Sequence, residues 1–120
     1  MTKSDELMLS AVRRKTDLSV NGRTVTVKGG KVTISVHSLP VMTMSFDLGY
    51  IRVMNGVKVS RKSSKVLNAV LETYTDFHIR ALGGVWLLER DGKSIPVGDG
   101  VLVVPMSKEA APSELEKYIV

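Results

Sequence analysis

At 120 residues the chain has room for one domain with a real core, not for two. It contains no cysteine, which excludes disulfides, thiolate metal sites and cysteine catalysis and fits a reducing cytoplasm. The net charge is +5; no apolar run approaches the roughly 20 residues that span a membrane, and Met1-Thr2-Lys3-Ser4-Asp5-Glu6 is too polar and acidic for a signal peptide, so a soluble intracellular protein is expected.

Ser4 to Lys15 is predicted to form a short helix. Ser4 would cap it, Asp5 and Glu6 would fill its first turn, and Arg13, Arg14 and Lys15 its last, complementing the helix dipole. Leu7, Met8, Ala11 and Val12 make one apolar stripe. The middle of the chain alternates with period two. Thr24–Lys28 and Lys31–Val36 read as strands joined by Gly29-Gly30, and Val41–Phe46 as a third strand after a break at Pro40. Tyr50–Met54 is a fourth, with Tyr50, Arg52 and Met54 on one face and Ile51 and Val53 on the other; Asn55-Gly56 turns it into Val57–Val59. Ser64–Tyr74 is a helix whose Val66, Leu67, Val70, Leu71 and Tyr74 share one face. Phe77–Leu82, Val85–Glu89, Lys93–Val97 and Val101–Val104 are further strands, and Pro96 marks the third of these as an edge. The fold class is α+β: antiparallel β hairpins packed on one central amphipathic helix, with short N- and C-terminal helices. Residues 1–106 form the domain, with 1–15 its N-terminal helical segment. Residues 107–120 form an acidic tail with an apolar end, where Pro112 can start a helix of two turns; docking on its own or a sister subunit avoids an exposed apolar end.

The charges are segregated. No acid occurs from Leu18 to Phe46, which holds Arg23, Lys28 and Lys31, nor from Leu48 to Leu71, which holds Arg52, Lys58, Arg61, Lys62 and Lys65. Such segregation predicts one positive surface for a polyanion; charge spread for solubility is the alternative. Ser60-Arg61-Lys62-Ser63-Ser64-Lys65 runs into the predicted helix, where free backbone N–H groups and the helix dipole suit a phosphate. A solvated basic helix end with a serine cap is the other reading. Tyr50 is the best base-stacking candidate. Trp86, between Val85 and Leu87, is the second, although that setting is commoner in a core. So few aromatics favour backbone-dominated, sequence-tolerant binding.

An enzyme is not expected. His37 and His78 have no ligand at metal spacing, and His37 reads as a turn residue rather than a general base. His78, between Phe77 and Ile79, is expected to face away from the core. Asp91 and Asp99 stand in Asp-Gly turns, and no P-loop or carboxylate pair is present. Neither cofactor nor metal is called for.

His37-Ser38-Leu39-Pro40-Val41, Gly49-Tyr50-Ile51-Arg52-Val53, Ser63-Ser64-Lys65-Val66-Leu67-Asn68-Ala69-Val70-Leu71, Gly84-Val85-Trp86 and Gly100 resemble a family of small tailed-phage proteins, over about Lys31 to Pro105. Members carry a histidine and a proline before a strand, a basic helix start with paired threonines and isoleucine-asparagine, and a glycine-x-tryptophan strand; most have no assigned activity. Here serines replace the paired threonines, and Val66 stands where an arginine would be expected. The chain is also similar to the early single-stranded-DNA-binding proteins that accompany a phage-encoded RNA polymerase, with Ser63, Ser64, Lys65 and Asn68 as the motif positions carried over.

Charge and resemblance together lead to one expectation: non-sequence-specific binding of single-stranded DNA in the host cytoplasm, supporting phage transcription or replication. Arg52, Lys58, Arg61, Lys62, Ser63, Ser64 and Lys65 would meet phosphates, Arg23, Lys28 and Lys31 would extend the track, and Tyr50 would stack. A homo-oligomer, dimer or tetramer, would add weak patches together, and an RNA polymerase is a candidate protein partner. The alternative is a protein-binding inhibitor or adaptor of a host enzyme, using sheet edges and the apolar tail end.

Overall fold

The computed structural model describes residues 2–53, 61–82, 85–96 and 102–107. Helix α1 spans Lys3–Arg14. Its cap is Thr2 rather than Ser4: the Thr2 hydroxyl accepts the Asp5 N–H at 3.1 Å, and the Asp5 carboxylate accepts the Thr2 N–H at 3.3 Å. Lys15 ends the helix in the left-handed conformation, its N–H turned to the carbonyls of Ala11 and Val12. Met8, Ala11 and Val12 are buried, and Leu7 is half-buried at the margin of the stripe.

Five strands follow: β1 (Leu18–Val20), β2 (Arg23–Lys28), β3 (Lys31–Val36), β4 (Leu39–Ser45) and β5 (Tyr50–Val53). Consecutive strands pair antiparallel. Three of the connections are two-residue turns with both residues at positive φ: Asn21-Gly22, Gly29-Gly30 and His37-Ser38. This is the type I′ geometry, whose twist matches that of the strands it joins. His37 is therefore a turn residue, as expected. Pro40 does not break the chain as its rigidity suggested. It lies inside β4 opposite Ser35, next to the Val36–Leu39 pair that closes the two-residue turn. Its nitrogen therefore points away from β3, and the missing N–H costs no bond of that ladder. A bulge at the same place, where Ile34 faces Met42 but Ser35 faces Pro40, leaves Val41 as the extra residue and lets both Val41 and Met42 be buried.

Helix α2 (Arg61–Tyr74) starts three residues earlier than its apolar spacing indicated. It leads into β6 (His78–Leu82), β7 (Val85–Arg90) and β8 (Lys93–Pro96), a separate three-stranded antiparallel sheet. The last described strand, β9 (Leu102–Pro105), returns to the first sheet beside β5, giving the order β1-β2-β3-β4-β5-β9. Both described helices lie on one face of that sheet: α1 touches β1 and β2, and α2 touches β3, β4 and β6. The core between them is built from Met8, Val12, Ile34, Met42, Met44, Ile51, Leu67 and Leu71 and their neighbours. The architecture is α+β, with an antiparallel six-stranded sheet, a smaller three-stranded one and two helices among the described residues. The expected strand Val57–Val59 and the helix of the C-terminal tail lie outside them.

Prolines stand on one edge strand of each sheet. Met106 N–H bonds Gly49 C=O at 2.8 Å, which sets the alternation of β9 so that Pro105 turns its nitrogen away from β5. Pro105 thus closes an outward donor position on that edge, and Pro96 stands on the edge strand β8, as its sequence position implied.

On the outer face of the small sheet, Arg80 donates to both oxygens of Glu89, at 2.7 and 2.9 Å, and His78 Nε2 lies 3.1 Å from Glu89 Oε1. His78 so faces away from the core, as expected. The Arg80 hydrogen bonds, helped by its charge and by His78, hold the Glu89 carboxyl below its usual pKa against the opposing effect of burial. A carboxyl lowered in the folded state stabilises above its unfolded pKa, about 4.3, and that contribution disappears as pH falls through the folded value. Glu89→Gln should therefore melt below the parent at pH 6, and the gap between the two melting temperatures should narrow as the pH falls below the unfolded pKa of about 4.3. A gap that stays constant across that range would remove the electrostatic account.

Candidate nucleic-acid interface

The candidate surface follows from period two. In β2, β3, β5 and β9 the inward set, Val25, Val32, Ile34, Val36, Ile51, Val53 and Val104, is buried under the helices. The outward set faces away from both. Strand register then orders the outward residues into rows, two of which carry the cations. One runs Thr26, Thr33, Thr43, Arg52, Val103, and the other Lys28, Lys31, Ser45, Tyr50, Pro105. The rows are about 7 Å apart along the strands, with about 5 Å per strand across them. Lys28, Lys31 and Arg52 are exposed and Tyr50 is half-buried. None of the three cations has a carboxylate within ion-pair distance among the described residues. The strands of this face carry no acid at all. Asp47, in the β4–β5 turn, stands at the rim, its Oδ2 3.7 Å from the position a Cβ would take on Gly30.

The other expected contacts do not join this face. Arg23 begins β2 on the inward side and is 6% exposed. Its Nε donates to Asp5 Oδ1 at 3.0 Å and its Nη1 to the Asn21 carbonyl at 3.1 Å. Arg23 is therefore a core residue that ties α1 to the sheet, a correction to its expected place on the track. Desolvating a guanidinium is tolerable only with such a partner. Ser63 and Ser64 lie within α2 rather than at its cap; Ser63 is buried and Ser64 half-buried. Lys65 is exposed and lines an open groove of about 320 Å³ with Thr2, Asp5, Asn68, Ala69 and Glu72. Two carboxylates there make it a poor anion seat. The groove also belongs to the helix layer, because Asp5 is the partner of the inward-facing Arg23. Lys58 and the side chains of Arg61 and Lys62 lie outside the described residues. The single strip expected beside the Ser64 end of the helix is thus divided. The hairpin cations meet on the open sheet face, and the described end of α2 stands on the opposite layer.

Sequence reading overlooked the threonines. Thr26, Thr33 and Thr43 lie side by side between the lysine hairpin and Arg52, and their hydroxyls can donate to phosphate oxygens. Their signal was the same alternation, read for its polar half. Trp86, half-buried, packs against the core cluster rather than offering a free ring. Asn68, a motif position in the phage resemblance, is structural: its Nδ2 donates to the Ile79 carbonyl at 2.9 Å and its Oδ1 accepts the Ile79 N–H at 2.6 Å. A second groove, of about 380 Å³, is lined by Glu72, Asp76, Asp91, His78, Thr75 and Phe77, a setting opposed to anions.

No protein-family model, curated protein or solved structure matches this chain. Among the described residues, no helix is long and apolar enough to cross a membrane.

Proposed function

We propose that the open face of the six-stranded sheet binds single-stranded nucleic acid, single-stranded DNA first, without sequence preference. Lys28, Lys31 and Arg52 contact phosphates, Thr26, Thr33 and Thr43 add hydrogen bonds to the backbone, and Tyr50 stacks on a base. The observation that carries this reading is the gathering of three exposed cations and a half-exposed tyrosine on the sheet face opposite the two described helices, whose strands lack acids. A broad sheet face suits a flexible strand better than a duplex, whose major groove of about 12 Å admits a helix or a two-stranded ribbon. In this proposal the protein is a small basic phage protein that acts in the host cytoplasm, as a dimer or tetramer, beside a phage RNA polymerase or replication machinery. It performs no catalysis.

The test is a gel-shift comparison of single-stranded DNA, duplex DNA and RNA at 50 and 200 mM salt. Three phosphate contacts on a single strand predict a salt slope near −2 and about a 20-fold loss of affinity over that range. Lys31→Glu with Arg52→Glu should abolish most of the binding at both concentrations while leaving the melting temperature close to that of the parent. If the double variant binds an oligonucleotide as well as the parent does, the open face is not the interface.

The second reading, a protein-binding adaptor, draws on Leu48 and Ile95, which are 74% and 52% exposed. Capture of a protein partner that survives 1 M salt and is lost in Leu48→Asp would favour it.

A further inference from the structure

The sheet has a basic end as well as a basic face. β2 finishes at Lys28, β3 begins at Lys31, β4 finishes at Ser45 and β5 begins at Tyr50, all at one end of the sheet. The C-terminal end of α1 arrives at the same place. Asp17 Oδ1 accepts the Val27 N–H at 2.8 Å, one residue from Lys28, and Lys15 Nζ lies 5.4 Å from the centre of the Phe46 ring, one residue beyond Ser45. The ring contact holds the Lys15 ammonium at this end without neutralising it, and Lys15 is exposed. Arg13 and Arg14, also exposed, precede it in the last turn. Between the face and the helix end stands the Gly29-Gly30 turn. No heavy atom comes within 4 Å of the position a Cβ would take on Gly29, which leaves the backbone open to close approach. Among the described residues two carboxylates stand here, Asp17, engaged by Val27, and Asp47 beside Gly30. They are outnumbered by the exposed Lys15, Lys28 and Lys31.

We propose that a bound strand does not stop at the sheet but passes over the β2–β3 turn onto the C-terminal end of α1, where Lys15 is its next phosphate contact. The ligand class is then a continuous single strand longer than the segment the face covers, not a short oligonucleotide or a free nucleotide. This rests on the face-binding reading given above. It also assigns Lys15 a task beyond complementing the helix dipole, which any cation in the last turn would do.

The experiment measures affinities of the full chain for oligodeoxynucleotides of about 6 and about 20 residues, spanning the lengths typical of small single-strand sites. Lys15→Gln removes the charge, and Lys15→Arg keeps it. For the longer strand, Lys15→Gln should lower affinity about 5-fold at 0.1 M salt and reduce the magnitude of the salt slope by about 0.7, the effect of one lost phosphate contact. For the short strand it should change nothing, and Lys15→Arg should bind both like the parent. Equal losses at both lengths, or no loss at either, would overturn the path over the turn. The Lys31→Glu, Arg52→Glu variant separates the two ideas. If it binds normally the face itself is wrong, whereas a defect there with a length-independent Lys15→Gln response leaves the face standing and removes only the extension.

Discussion

Asp5→Ala is expected to destabilise the fold by about 3–5 kcal/mol, the cost of leaving a buried charge without its partner. For a chain of this size that is a fall of about 10–20 °C in melting temperature. Asp5 and Arg23 are 6% exposed each, and the Arg23 Nε–Asp5 Oδ1 bond of 3.0 Å joins the first turn of α1 to the start of β2. Asp5 also accepts from the Thr2 hydroxyl at 2.9 Å and completes the capping box. Alanine therefore removes a cap as well as the counterion. The loss should be largely recovered by making the pair apolar, Asp5→Leu with Arg23→Met, because the burial cost of both charges then disappears together. Thermal melts of the single and double variants measure this. A double variant no more stable than Asp5→Ala would mean that the pair contributes through its geometry and not through its charges.

Asn68→Leu is the second large effect, about 2–4 kcal/mol, from two backbone groups left unpaired at about 1–3 kcal/mol each. The Asn68 amide occupies the free edge of β6, giving the Ile79 N–H an acceptor and its C=O a donor as a neighbouring strand would. Ile79 itself is 4% exposed, so water cannot easily take over either bond. The damage should be local first: hydrogen exchange should accelerate at Ile79 and through the three-stranded sheet before it does in β2 to β4. Asn68→Asp keeps the acceptor but sets a carboxylate against the Ile79 carbonyl, so it too should destabilise. Oligonucleotide affinity of the folded Asn68→Leu protein should match that of the parent, since Asn68 lies in the helix layer. A protein that loses affinity while its exchange pattern is unchanged would place Asn68 in a binding role instead.

The hairpins were legible because their signals are local. Alternating β-branched residues around Gly29-Gly30 located β2 and β3, and the apolar spacing of Val66, Leu67, Val70, Leu71 and Tyr74 located α2. Errors arose where a partner decides the outcome. β1 has only three residues, too few for a periodic signal. Pro40 sits within a strand because its register opposite Ser35, next to the Val36–Leu39 pair that closes the turn, points its nitrogen away from β3. Thr2 outcompetes Ser4 as the cap because Asp5 is placed to return its hydrogen bond. For the candidate site, Tyr50 and Arg52 were correctly put on one face from their own strand. Lys28 and Lys31 proved to share it once register was known. Arg23 did not, since its parity in β2 is that of Val25, and a lone charge in a strand gives no warning of a buried partner eighteen residues away.

By itself the sequence determined the types of the longer elements, the two acid-free stretches and the absence of any cysteine chemistry, because each is a property of neighbouring residues or of composition. Only the tertiary structure decided which cations meet. Strand pairing aligned Lys28, Lys31, Tyr50 and Arg52 across four strands, helix packing withdrew Arg23 to Asp5, and the return of β9 extended the face past Arg52. Those outcomes depend on register and on the choice of which sheet face the helices cover. Both are settled by burying one set of side chains, a free-energy balance over the whole domain that no short segment encodes.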